Sequence, residues 1–180
     1  MNKMKKTKRM KTQTMVLCAL LMAMHVVLSY LSIDLPFMKI NLSPLPIIIG
    51  GMMFGPVIGG VVGLLGSLLY QMLKFGIDPT TVLWIVPVGV RGLLVGLYAK
   101  TRKYHVNKVE MIILIVVTSI IATVLNTIFL YITGYVNKEE SVWFIFGSRI
   151  LNSLLMSVVC SIIVIPLMKP LRKYFHMAEK

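Results

Sequence analysis

Residues 42–73 read LSPLPIIIGGMMFGPVIGGVVGLLGSLLYQML, an apolar block that is either one long membrane helix or two short ones. Its reading sets the number of bilayer crossings. Gly55-Pro56 lies near the middle, and proline cannot continue a helix while glycine permits the bend. Split there, each half is about 24 Å long at 1.5 Å per residue, short for a hydrocarbon core of about 30 Å.

Charge placement decides for the split. Lys3, Lys5, Lys6, Lys8, Arg9 and Lys11 precede the first apolar block, Lys100, Arg102, Lys103 and Lys108 lie between residues 99 and 109, and Lys169, Arg172, Lys173 and Lys180 follow the last block. The other connections carry Lys39, Lys74 and Lys138 against Asp34, Asp78, Glu139 and Glu140. The positive-inside rule puts the three basic segments in the cytoplasm and the remaining connections outside. Residues 34–39 and 74–78 are then both external, so the chain between them crosses twice. The expected spans are 12–33, 43–54, 56–74, 80–99, 109–134 and 142–168. The halves being short, thinning of the bilayer or a partly irregular segment is expected around Gly55. No repeat relates the two halves, which weakens an inverted-repeat transporter.

Composition agrees. Hydrophobic residues make up 57% of the 180 positions, charged residues 14%, and mean hydropathy is +0.85, whereas soluble domains are roughly a quarter charged. The expectation is an all-α, multi-pass protein of the cell membrane with six helices and both termini cytoplasmic. It divides into a basic N-terminus (1–11), a membrane domain (12–168) and a basic C-terminus (169–180). The formal charge of +13 has its explanation in topology, so nucleic acid is not an expected partner, whereas membrane lipid is. The apolar run 15–31 outlasts a signal-peptide core and lacks a small-residue cleavage site, and is kept as the first helix. Cys18 and Cys160 lie in apolar helices and say nothing of redox compartment.

Most enzyme classes lack their motifs. The glycines between 50 and 66 include no G-x-x-x-x-G-K-[ST], His25, His105 and His176 stand apart in sequence, and neither H-E-x-x-H nor G-x-S-x-G occurs. No catalytic residue, metal or cofactor is expected. Small residues recur at four-residue spacing in Ala19/Ala23, Gly59/Gly63 and Gly92/Gly96, a pattern that lets helices approach closely. Such pairs serve packing within a subunit or docking against another one, and the latter suits Ala19 and Ala23 on a peripheral first helix.

Arg91 and Arg149 carry the functional signal. A charge at membrane depth is costly unless it faces a polar cavity or a partner, and Glu110 is the one acid inside the expected spans. Two guanidiniums without acidic partners make an electropositive pocket suited to a carboxylate or phosphate, open to the external half. Carbonyls, lipid phosphate or water could satisfy them instead. Asn126, Thr127, Asn152, Gln71, Ser67, Tyr70 and Trp84 add hydrogen-bonding and aromatic surface for a small organic ligand, though each also suits helix packing or the membrane interface.

With its basic N-terminus, Ala19-x-x-x-Ala23, the external loop 34–41 and the block from Leu45 to Phe54-Gly55-Pro56, the chain resembles the substrate-binding S components of energy-coupling factor (ECF) vitamin transporters. The stretch Lys39-Ile40 into the Gly-Pro turn, Asn126-Thr127 with Leu130, and Arg149-Ile150-Leu151-Asn152 are similar to folate-type members. Gly66-Ser67 and Asp78-Pro79-Thr80-Thr81 depart from that subgroup, which usually has an acid in the third helix and an aromatic Pro-Gly-Phe-Thr stretch. The resemblance implies a vitamin bound at the external side, closed over by a loop containing Asp34 and Lys39. It also implies a T component contacting Ala19 and Ala23, two ATPase subunits supplying energy, and inward delivery by toppling. Substrate contacts are expected from Arg91, Arg149, Asn126, Asn152, Gln71 and Trp84. Folate is the first-choice ligand because two arginines can meet its carboxylates; pantothenate or another vitamin is the alternative. An independent secondary carrier is the runner-up, a membrane enzyme the third reading. Arg149→Ala is expected to weaken ligand binding more than Lys138→Ala, measured by calorimetric titration.

Overall fold

The computed structural model describes residues 12–35, 39–134 and 142–178. The basic segment 1–11, Lys138, Glu139 and Glu140, and residues 179–180 lie outside them, as do the side chains of Asp34, residues 142–145, Lys169 and residues 172–178. Helix α1 spans Thr12–Tyr30, α2 Pro44–Phe54, α3 Pro56–Lys74, α4 Thr81–Thr101, α5 Lys108–Ile132 and α6 Val142–Ala178. Strands β1 (Ile33–Asp34) and β2 (Lys39–Ile40) pair antiparallel, with Ile33 opposite Ile40 and Asp34 opposite Lys39. Five helices are long and apolar enough to cross a membrane; α2 is the short apolar one.

The break at Gly55-Pro56 falls where the sequence put it. Gly55 has φ +92°, a left-handed conformation open to glycine, and its N–H bonds to Gly51 O at 3.0 Å to close α2. Pro56 opens α3, where its missing N–H costs nothing.

The shortness of α2 has a different resolution from bilayer thinning. Ile47, Ile48, Ile49 and Met52 are all buried, and α2 touches α1, α3, α4 and α6. A helix apolar on every side and surrounded by protein need not match the lipid thickness.

Helices α2, α3 and α4 meet backbone to backbone. A Cβ on Gly51 would lie 2.9 Å from Gly92 O, one on Gly63 2.7 Å from Val88 O, and one on Gly92 2.8 Å from Ile47 Cγ2, besides striking the Gly59 carbonyl. The pairs Gly59/Gly63 and Gly92/Gly96 therefore serve packing within the subunit. Ala19 and Ala23 remain on the exposed face of α1 with Met15, Val16, Leu20 and Val27, opposite its buried Cys18, Leu21 and His25.

His25, alone in sequence, is buried and partnered. Its Nδ1 donates to Ser43 O at 2.7 Å, leaving Nε2 to accept from Ser67 Oγ at 3.2 Å, and Ser29 Oγ donates to the His25 carbonyl at 2.8 Å. Gly66 leaves room for the ring, since a Cβ there would meet His25 Cδ2 at 3.0 Å. One side chain thus ties α1 to the start of α2 and to α3.

The apolar span of α6 ends at Met168, where the sequence put it, but the helix itself does not stop there. Helix α6 runs on through Pro166 and Pro170. Each proline removes a single ladder bond, and at four-residue spacing both fall on one side, so the remaining ladder persists.

Gly92→Val should destabilise the protein by about 1–3 kcal/mol, the usual cost of overpacking. Gly147→Ala, with nothing within 4 Å of the added carbon, should be neutral or gain about 0.5–1 kcal/mol; thermal unfolding in detergent compares the two. Ser67→Ala should cost about 1 kcal/mol in the same assay.

Candidate functional site

The site lies between α4, α5 and α6 at the end of the bundle where the β1–β2 hairpin sits. A cavity of about 420 Å³ is lined by Lys39, Asn41 and Pro44, by Arg91 of α4, by Ser119 and Thr123 of α5, and by Arg149, Asn152, Ser153, Met156 and Cys160 of α6. Helical periodicity places them. Ser119, Thr123 and Asn126 follow at i, i+4 and i+7, and Arg149, Asn152, Ser153, Met156 and Cys160 share one stripe of α6. Arg91 stands ten residues into α4, about 15 Å from its start, which puts its charge near the middle of the span.

The two arginines differ in their engagement. Arg149 Nη2 donates to Asn126 Oδ1 at 2.5 Å, bridging α6 and α5. Asn152 Oδ1 accepts from the Lys39 backbone N–H at 3.2 Å, fastening the hairpin to α6 ten residues, about 15 Å, in from the start of that helix. Lys39 thus reaches the site through its main chain as well as its position. Asp34 pairs with it in the hairpin.

Gln71 and Trp84 do not join this cavity. They line a second one, also about 420 Å³, with Lys39, Tyr70, Phe75, Gly76, Asp78, Thr80 and Thr81. Its walls are aromatic: Tyr70 meets Tyr30 edge to face at 5.4 Å and Phe75 at 6.1 Å. Its rim is ordered by Asp78, whose Oδ1 accepts from Thr80 Oγ1 at 2.7 Å and Thr81 Oγ1 at 3.0 Å. These bonds, that from Thr80 first, hold the Asp78 carboxyl below its ordinary value of 3.8. Its contribution to the loop is therefore complete above that value and fades only as pH falls through the lower folded one. Asn126 belongs to neither cavity; it lines a crevice of about 10 Å³ beneath Trp84 with Leu130, and reaches the first cavity through Arg149.

The expected cluster thus divides into an arginine-bearing cavity and an aromatic one, both lined by Lys39. The sequence reading named Asn41 only as the end of the closing loop and Cys160 only as a thiol in an apolar helix, and it passed over Ser119, Thr123 and Ser153. Spacing back from Asn126 and forward from Asn152 would have found all but Asn41, since hydroxyls in apolar helices are otherwise unremarked packing groups.

The family of the ECF-type riboflavin transporter S component matches residues 9–173. The chain belongs to the ECF S components. The folate transporter FolT of Clostridium novyi (strain NT) is 27% identical over 158 residues, 86% of this chain and 87% of that protein. Among solved structures, FolT bound with folic acid matches with TM-score 0.68 at 20% identity, over 85% of this chain and 90% of its own. The S component for biotin from an ECF-type ABC transporter matches with TM-score 0.67 at 16% identity, over 92% and 95%. At such identities the structural likeness is one of fold. S components are multi-pass membrane subunits that bind substrate and are not enzymes; ATP hydrolysis lies in partner subunits of the transporter.

Asn152→Ala removes the acceptor that fastens the hairpin. It should raise the ligand off-rate about 5-fold, the equivalent of one hydrogen bond of about 1 kcal/mol, in stopped-flow or surface-based kinetics.

Proposed function

We propose that this S component binds a carboxylate-bearing vitamin, folate first, at its external end for ATP-driven uptake. The observation that carries the reading is the meeting of Arg91 and Arg149 at one cavity, in a bundle whose described helices hold Glu110 as their one acid. Glu110 is occupied at the opposite end, where it pairs with Arg102. Half-buried guanidiniums favour anionic ligands, and a carboxylate accepts their fork-shaped donors in pairs.

The second cavity supports folate over smaller carboxylates such as pantothenate. Trp84, Tyr70 and Phe75 offer a stacking surface for a flat heterocycle, and Lys39 lines both spaces. A ligand with carboxylates at one end and an aromatic ring system at the other can use both. The 27% identity to a folate transporter points the same way.

Riboflavin is the second reading, favoured by the name of the matching family. Its flavin suits the aromatic cavity, but it has no carboxylate for the arginines. A self-sufficient carrier is disfavoured by the family and by the lack of an acid at mid-membrane among the described residues.

The hairpin containing Asp34 and Lys39 would close the site. The exposed face of α1 with Ala19 and Ala23 would dock the T component, which in turn engages the two ATPase subunits. Both termini would lie in the cytoplasm, following the basic segments.

Mass spectrometry of small molecules released from gently purified protein tests the assignment, together with titration of folic acid, pantothenate and riboflavin. Stoichiometric folate is the expected result. Binding of riboflavin without folate would replace folate as the ligand; binding of no vitamin at all would remove the role.

A further inference from the structure

Asp78 is the one acid lining the two cavities and the crevice described above. The arginine cavity carries cations and no acid, the aromatic cavity carries Asp78, and Lys39 is common to both. The two spaces therefore differ in the polarity of what they offer a ligand.

The loop that holds Asp78 has no need of its charge. Thr80 Oγ1 and Thr81 Oγ1 both donate to Oδ1, at 2.7 and 3.0 Å, and Thr81 Oγ1 accepts in turn from the Asp78 N–H at 3.0 Å. A neutral amide oxygen would accept the same two hydroxyl protons, as asparagine does in place of aspartate at helix starts. Oδ2 takes neither hydroxyl, and a carboxylate has about four acceptor sites. With their protons spent on Asp78, the two threonines present oxygen lone pairs only. This corner of the aromatic cavity is built of acceptors.

Such a corner suits a ligand edge made of N–H donors. Two adjacent N–H groups on a flat ring, as in a 2-amino-4-oxopyrimidine, meet a carboxylate in the way a guanidinium does. Tyr70, Phe75 and Trp84 in the same cavity supply faces for the ring. A flavin is flat enough for those walls, but its pyrimidine edge shows one N–H between two carbonyls, which brings oxygen against oxygen. Replacing a 2-amino group by oxygen is enough to produce that second pattern.

We infer that Asp78 selects the ligand's heterocycle: its carboxylate pairs with the amino-substituted N–H edge of a pyrimidinone ring seated among Tyr70, Phe75 and Trp84, and rejects a ring whose edge is an imide. This rests on the reading of the chain as a vitamin-binding subunit and assigns the chemistry of the ligand's ring, where the arginines address its acid.

The test is calorimetric titration of the purified full chain with folic acid, with its 2-oxo counterpart, in which oxygen replaces the 2-amino group, and with p-aminobenzoyl-glutamate, which lacks the ring. The unaltered chain should bind folic acid about 100-fold more tightly than the 2-oxo compound. Asp78→Asn should weaken folic acid about 10- to 100-fold, the loss of charge-assisted hydrogen bonds, and shrink the preference for amino over oxo, since an amide can turn its own N–H toward a carbonyl. Affinity for p-aminobenzoyl-glutamate should not change. Asp78→Asn keeps an acceptor for Thr80 and Thr81 and should melt close to the unaltered chain, whereas Asp78→Ala should melt lower. Folic acid affinity unchanged by Asp78→Asn, or an equal loss for p-aminobenzoyl-glutamate, would overturn the inference and leave the folate assignment standing. Asp78-dependent binding of free pterin by a chain that does not take folic acid would do the reverse. If Asp78→Asn does not fold, the unaltered chain decides: equal affinity for folic acid and the 2-oxo compound overturns the inference.

Discussion

The contact between the backbones of α2, α3 and α4 governs the arrangement of everything else. Gly51, Gly59, Gly92 and Gly96 bring three helices together without side chains between them, so van der Waals contact runs along the main chain itself. That approach holds α2 at the centre, sets α4 against it, and fixes the direction in which the side chain of Arg91, one residue before Gly92, leaves the helix. The glycines at this crossing and the charge beside it are parts of one placement: the crossing faces inward to α2 and α3, the arginine turns toward α5 and α6 and their hydroxyls.

A second tie acts at the other side of α2. His25 draws α1 and α3 onto the residue that precedes α2, Ser43, through a carbonyl on one nitrogen and a hydroxyl on the other. Ser43 follows Asn41, whose Oδ1 accepts from the Ser43 N–H at 2.9 Å, and Asn41 lines the arginine cavity. The rim of the site is thus anchored to the core of the opposite helices, while its hairpin is fastened to α6 through Asn152. Position at the mouth is determined from two directions.

The division of the chain into six helices was readable because proline, glycine and charge act locally: Gly55-Pro56 breaks a helix wherever it occurs, and lysine counts need no tertiary information. The extension of α6 to Ala178 was not, since a proline's cost depends on whether the neighbouring ladder survives. Arg91 and Arg149 stood out because charge among apolar residues is conspicuous. That Gln71 and Trp84 face a separate cavity was hidden, since helix rotation is set by contacts between helices far apart in sequence. The same holds for His25 and Ser67, 42 positions apart.

The eleven residues of α2 have a bearing on how the protein is made. A segment of about 16 Å cannot stand alone across the hydrocarbon core, nor be recognised as a span by length. Joined to α3 through a turn of one glycine, it can enter the bilayer as half of a helical hairpin. Its surroundings are completed by α4 and then by α6, whose Cys160, Val164 and Met168 join Leu45, Ile48 and Met52 in one cluster. The shortest helix is thus the one most enclosed by others, and its place in the bilayer depends on helices from both ends of the chain, α1 before it and α6 long after.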